Sequence, residues 1–290
     1  MHNFEDSLRW AKFAIGGCEI RGARKNRIVT APLTSLPAPP KRAPDLEDDF
    51  SGDLRGDLWV DHYLPHWTTP DRSRARYDLG DGRLRLRIDS DQLDWREEDA
   101  PLRVSNLQTG TFSGPRGSTR GTHSPGNSTV RTPTQAALLW APSAGRVDVT
   151  VSASLDDGCM LATWLVGTEH LSDGQSGEIC LFEIDAGAIG ATRTTARCGI
   201  KAHSDPTLHT DMAEVTVPID ASRPHTWTAI WGDGETVVGC EGTVIRRVSQ
   251  APDYPLFLML DLFEIGPRGS TYPKTALLHR VRGWTGTGTD

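Results

Sequence analysis

From Asp48 onward the chain alternates short apolar runs with clusters of Gly, Asp, Asn and Pro, the signature of strands joined by turns. In GRVDVTVSASL (145–155) Val147, Val149 and Val151 fall on one face, and Asp148, Thr150 and Ser152 on the other. RLRLRID (83–89) alternates leucine with arginine in the same way, as a strand with one solvated face does. The pattern predicts strands over Arg83–Asp89, Gly145–Ser154, Cys159–Val166, Glu178–Ile184, Arg197–His203, His225–Trp231, Thr236–Cys240, Val244–Val248, Leu256–Phe263 and Ala276–Trp284. DDG (156–158), DAGAIG (185–190) and GDG (232–234) are turn signals between them. No segment carries a long 3.6-residue apolar period and no internal repeat is visible. The expectation is an all-β, two-sheet antiparallel β-sandwich.

The first 47 residues break this pattern. They hold the basic run RGARKNR and the proline-rich stretch APLTSLPAPPKRAPDLEDD, and proline fixes φ and removes a donor. Residues 1–47 are therefore expected to be a flexible leader, with a short helix over Phe4–Phe13, and residues 48–290 one sandwich domain. A length of 290 residues suits a single large all-β domain. The polar stretch FSGPRGSTRGTHSPGNST (112–129) reads as a long loop of the kind that is functional or mobile.

Charge and composition narrow the partners. A net charge of −7 leaves no basic footprint for nucleic acid. No run reaches the roughly 18–20 apolar residues of a membrane span. WAKFAIGGC near the start is too short, and too charged around it, for a secretory signal, so the protein stays inside, leaves by another route or has a misplaced start codon. Five cysteines (Cys18, Cys159, Cys180, Cys198, Cys240) lack metal-ligand spacing and do not form a disulfide framework, although one pair could bridge.

The segment with chemical interest is SGEICLFEIDAG (176–187). Glu178 and Glu183 stand five apart in an apolar run, which in a regular strand puts them on opposite faces. One extra residue in a β-bulge returns them to one face, together with Cys180. Two carboxyls about 5–5.5 Å apart are what a retaining glycosidase uses, one as nucleophile and one as acid/base. The alternative has Glu183 inward and Glu178 at a solvated strand end.

Seven segments in order resemble glycoside hydrolase family 16: DDFSGDLRGDLWVDHY, AGRVDVTVSASL, MLATWLVG, GEICLFEID, PHTWTAIWGDGETVVGCEG, YPLFLMLDLF and LHRVRGWTG. The resemblance spans about residues 48–286 and implies a concanavalin A-like jelly roll. It sets GEICLFE where the family has E-x-D-x-x-E, making Glu178 the nucleophile and Glu183 the acid/base. By the same resemblance Trp164 lies on a concave floor and stacks on a sugar ring, the alternative being a core tryptophan. His203 faces the catalytic pair, or else sits on the surface at a strand end. Trp67, Trp95 and Trp140 fall in loops that rim the cleft or simply pack, whereas His225 and Trp227 serve the core.

One position departs from the pattern. Cys180 replaces the central aspartate, and a buried thiol is neutral there. Losing that negative charge lowers both carboxyl pKa values and leaves catalysis attenuated or lost. The resulting expectation is a monomeric retaining endo-β-glycosidase, hydrolase or transglycosylase, acting on a β-glucan-like polysaccharide or oligosaccharide. A catalytically silent, lectin-like glycan-binding sandwich is the second reading, and an intracellular small-molecule step a third. The family resemblance implies an extracellular location, against the missing signal. No cofactor is expected, apart from the structural calcium that the family often carries and that Asp48–Asp49 hints at.

Overall fold

The computed structural model describes residues 34–125 and 128–286. Two antiparallel sheets face each other. The larger runs β14 (Thr243–Val248), β13 (Glu235–Cys240), β12 (His225–Gly232), β7 (Gly145–Ser152), β16 (Lys274–Thr285), β3 (Arg83–Ile88) and β2 (Arg76–Gly80), with β1 (Leu46–Asp48) also paired to β16. The smaller runs β11 (Asp211–Val217), β10 (Thr194–Lys201), β9 (Glu178–Asp185), β8 (Cys159–Gly167), β15 (Leu256–Ile265) and β4 (Leu102–Gln108). A two-stranded ribbon, β5 (Gly110–Thr111) with β6 (Ala137–Leu138), completes the set. The sandwich read from the alternating pattern is the observed architecture.

The alternation decides which residues enter the core. Val147, Val149 and Val151 of β7 meet Leu161, Leu165, Leu258, Leu260 and Leu262 of β8 and β15 between the sheets. Yet β8 and β15 are apolar on both faces, because the outer face of the six-stranded sheet is covered as well. There Trp164, Met259 and Phe263 pack beneath Tyr63, Leu64, Trp67 and Trp95 as a second apolar cluster. Burial on both faces explains near-continuous apolar runs in place of strict alternation.

Residues 34–47 are not a free leader. Leu36 packs over Gly239, Arg42 donates to the Thr285 carbonyl at 2.6 Å, and Leu46 is fully buried in β1. The predicted boundary at Asp48 is thus corrected: edge pairing and one buried leucine hold the segment down despite its prolines. The helix expected over residues 4–13, and Cys18, lie outside the described residues. Asp48 Oδ1 accepts the Phe50 N–H and Oδ2 the Trp59 indole N–H, each at 2.8 Å.

Candidate active site

The bulge required by the glutamate spacing is present in β9. Against β8, Thr163 pairs with Phe182 but Trp164 pairs with Cys180, so Leu181 is the extra residue. Against β10, Arg197 pairs with Glu183 and Gly199 with Cys180, the same slip seen from the other side. Leu181 and Phe182 both turn into the intersheet core, and Glu178, Cys180 and Glu183 emerge together on the outer face. One ligand atom from each of these three lies within 4.8 Å of the others. Gly199, at φ 142° opposite the bulge, has no room for a Cβ, which would strike the Asp211 carbonyl.

Two cations from β10 serve this pair. Lys201 Nζ lies 2.9 Å from Glu178 Oε1 and 2.7 Å from Glu183 Oε1. Arg197 Nε donates to Glu183 Oε2 at 2.9 Å and pairs with Asp185 through its other arm. Glu183 Oε1 also accepts the Trp164 indole N–H at 3.3 Å. Glu178 Oε2 meets His203 Nε2 at 2.9 Å. Burial alone pushes the Glu178 carboxyl up, but Lys201, His203 and His123 outweigh it and hold it well below the usual carboxylate range. For Lys201 burial opposes the charge, yet Glu178 and Glu183 drive its pKa above the ordinary lysine value.

Cys180 is fully buried, its Sγ 3.6 Å from the Arg197 carbonyl. Burial, then the Glu183 charge, push its thiol well above the normal range, so it sits in the site as a neutral group. A second titratable group, Asp261 of β15, is also fully buried on this face. Its Oδ1 accepts from Asn106 Nδ2 at 2.7 Å, and burial followed by the Glu178 charge raises its carboxyl well above the usual value.

Several sequence-predicted site residues fall elsewhere. Trp67 is fully buried and donates its indole N–H to the Thr122 carbonyl at 2.9 Å; Trp95 donates to Tyr63 O at 3.1 Å. Neither rims a cleft, because each ring is folded under its own loop with its one donor satisfied. Trp140 packs edge-on against Trp231 in the intersheet core. Trp164 does stand beside Glu183, but only 1% of it is exposed. Its ring is flanked by His123 (centroids 6.3 Å, 25°) and lies 4.9 Å from Lys201 Nζ, so neither face is bare for a sugar. His203 is where the resemblance put it, with 21% of its side chain exposed.

Sequence reasoning missed Arg197, Lys201, His123 and Asp261. A signal existed for the first two: RCGIKAH puts Arg197, Lys201 and His203 into a strand otherwise small and apolar. His123 reaches the site from the 112–129 loop. Its backbone N–H is held by Glu169 Oε2 at 2.6 Å, and burial lowers its imidazole pKa to about 3.

With this geometry in hand, comparison with solved structures gives matches across most of the chain. A GlcNAcα1-4Gal-releasing endo-β-galactosidase from Clostridium perfringens superposes with a TM-score of 0.72 at 21% identity, over 86% of this chain and 65% of that one. SCLam, a non-specific endo-β-1,3(4)-glucanase of family 16, gives 0.59 at 17% identity, over 89% and 96%. The sandwich has the family 16 glycoside hydrolase fold. A Bacillus licheniformis β-glucanase shares it with a TM-score of 0.55 at 13% identity, over 84% and 99%. The chain spans about two thirds of the galactosidase's length, 65%. No protein-family model matches the sequence, and a search of curated proteins finds no match. These identities carry the family 16 fold and leave the chemistry to the residues of the site.

Proposed function

We propose that the chain is a retaining β-glycosidase acting on a β-glucan-like glycan, with Glu178 as nucleophile and Glu183 as acid/base. The observation that carries this reading is the bulge at Leu181, which brings the two glutamates to one face with carboxylate oxygens within 4.8 Å. That spacing suits direct attack by one carboxylate and leaves no room for the intervening water of an inverting enzyme. The solved structures with this fold include β-glucanases and an endo-β-galactosidase, which supports a β-linked glycan as substrate class.

Glu178 is equipped for its role, since Lys201 and His203 keep it ionised. Its oxygen would attack the anomeric carbon as the bond to the leaving oxygen breaks and Glu183 hands that oxygen a proton. Water then attacks the same carbon, Glu183 takes a proton from it, and the bond to Glu178 breaks. Glu183 is less free, because Lys201, Trp164 and Arg197 all point donors at it. A proton on Oε1 requires the Lys201 ammonium to turn toward Glu178, to which it is already paired.

The test is incubation with laminarin, lichenan, agarose and xyloglucan, scoring new reducing ends and the anomer formed first, with Glu178→Gln alongside. Product from the native chain alone, with the β-anomer first, is expected. Equal background from both proteins would sink the glycosidase. One observation favours a second reading: Lys201 locks both carboxylates and neither is more than 1% exposed. In that reading the chain binds glycan without cleaving it, and polysaccharide binding persists in the same samples without turnover.

A further inference from the structure

We infer that the site takes its glycan by a chain end, from the β10–β11 side, so that cleavage falls close to that end and releases short fragments. The inference rests on the proposed glycan reading and adds where along the polymer the protein engages.

It follows from a gradient of burial across the outer face of the six-stranded sheet. On β4, β15 and β8 that face is closed: Asn106, Met259 and Ala162 are at 0% exposure and Trp164 at 1%. At β9, Glu178 and Glu183 are at 0% and 1%. At β10 the Arg197 side chain is 30% exposed, and on β11 Glu214 and Thr216 stand in solvent. An internal stretch of polymer crossing Glu178 and Glu183 along the sheet's width needs open surface on both sides. Adjacent strands lie about 4.8 Å apart, so the three closed strands span the width of roughly two to three sugar rings.

The cover over the closed half is built rather than draped. Three loops interlock above it: Arg131 N donates to His66 O at 2.8 Å, Thr132 Oγ1 to Thr68 O at 2.7 Å, and Thr68 Oγ1 to Trp95 O at 2.5 Å. Tyr63 fixes the cover to the sheet, edge-on to Phe263 at 5.5 Å and to Trp95 at 4.9 Å. Removing such a cover would expose the large buried aromatic surfaces of Tyr63, Trp67 and Trp95. Beside Glu178, half-buried His123 stacks on Trp164 and its backbone N–H is held by Glu169. His203 and Arg197 remain as the partly exposed partners of the two glutamates, and both stand on the β10 side.

The test uses the full chain and pairs of glycans of one linkage that differ tenfold in chain length, drawn from β-1,3-glucan, mixed-linkage β-glucan and β-galactan. Binding at 4 °C is measured per gram of polymer, with Glu178→Gln beside the native protein to suppress turnover. End binding predicts about tenfold more protein bound per gram on the shorter chains. Capacity independent of chain length, or no binding to any of the three, overturns the inference. Where turnover occurs, short products from the first minutes with little loss of viscosity agree with it, and a fast viscosity drop with mid-sized fragments overturns it. End-scaled binding without turnover would uphold the inference while removing the glycosidase reading.

Discussion

The Lys201 ammonium lies 2.7 Å from the Glu183 carboxylate, across two strands whose register is set by one extra residue in β9. Because the same nitrogen is 2.9 Å from Glu178, one buried ammonium bridges both carboxylates, with Arg197 also paired to Glu183. Removing one partner from such a cluster leaves uncompensated charge, which typically costs about 3–5 kcal/mol. Lys201→Met should lose stability on that scale at pH 7. The native chain holds Glu178 below its ordinary 4.5, so this contribution is present above that pH and fades as acid protonates the carboxylate. In Lys201→Met the two carboxylates repel, and acid relieves them by adding a proton. Melting temperatures should therefore rise more steeply for the variant than for the native chain as pH falls from 7 to 5; parallel curves would contradict this account.

Asp261 carries the opposite sign. Its carboxyl is raised by burial, so the folded state keeps a proton that the unfolded chain releases above about pH 4. Stability is then lost as pH rises, by up to about 1.4 kcal/mol per pH unit until the folded group itself ionises. Asp261→Asn keeps the shape and can still accept from Asn106. It is expected to be more stable than the native chain at pH 7 and nearly equal to it at pH 4, as denaturant midpoints would reveal.

Arg103 is 1% exposed and joins β4 to β15 through Glu264 at 2.7 Å, with Asp94 on its other arm, also at 2.7 Å. Arg103→Met and Glu264→Met should each destabilise by about 3–5 kcal/mol. The double variant should cost at least about 1 kcal/mol less than the sum, since the second change removes the orphan left by the first. Simple additivity in urea unfolding would deny the coupling.

The four described cysteines should be silent toward thiol reagents. Burial pushes Cys159, Cys198 and Cys240 up to about 12 and Cys180 well above its usual range. Since the thiolate is the reactive form, a Cys18→Ser protein at pH 8 should release no chromophore from Ellman's reagent until denatured, and then four equivalents. Fast native labelling at Cys180 would mean that the site is far more open than its burial indicates.

The strands and the glutamate pair were legible because each leaves a local mark: alternation in β7, and an odd spacing that only a bulge reconciles in β9. β4 was not, since LRVSNLQ mixes Arg103, Asn106 and Gln108 into a fully buried strand. Glu264 and Asp261, which bond Arg103 and Asn106, are more than 150 residues away, so those two pairings cannot be read from the sequence around β4. Lys201 was hidden for a similar reason: its place between two carboxylates depends on how β10 registers against the bulge. Trp67 and Trp95 misled because residue type signals a large contact area but not which surface receives it. Here the loops that carry them close over the sheet, and the rings fill that cover.

The place of β16 in the larger sheet bears on how the protein is made. Lys274–Thr285 lies between β7 and β3 and also carries β1, so strands from near the start and the middle of the described chain meet only through it. During synthesis β1, β2 and β3 emerge first and must wait, unpaired to the rest, until some two hundred residues later the ribosome delivers their neighbour. In the smaller sheet β8, β9, β10 and β11 can pair while translation continues, but β4 waits in the same way for β15, which is made just before β16. The strands that carry Glu178 and Glu183 are thus able to pair before either sheet is complete, leaving apolar inner faces uncovered until β15 and β16 arrive.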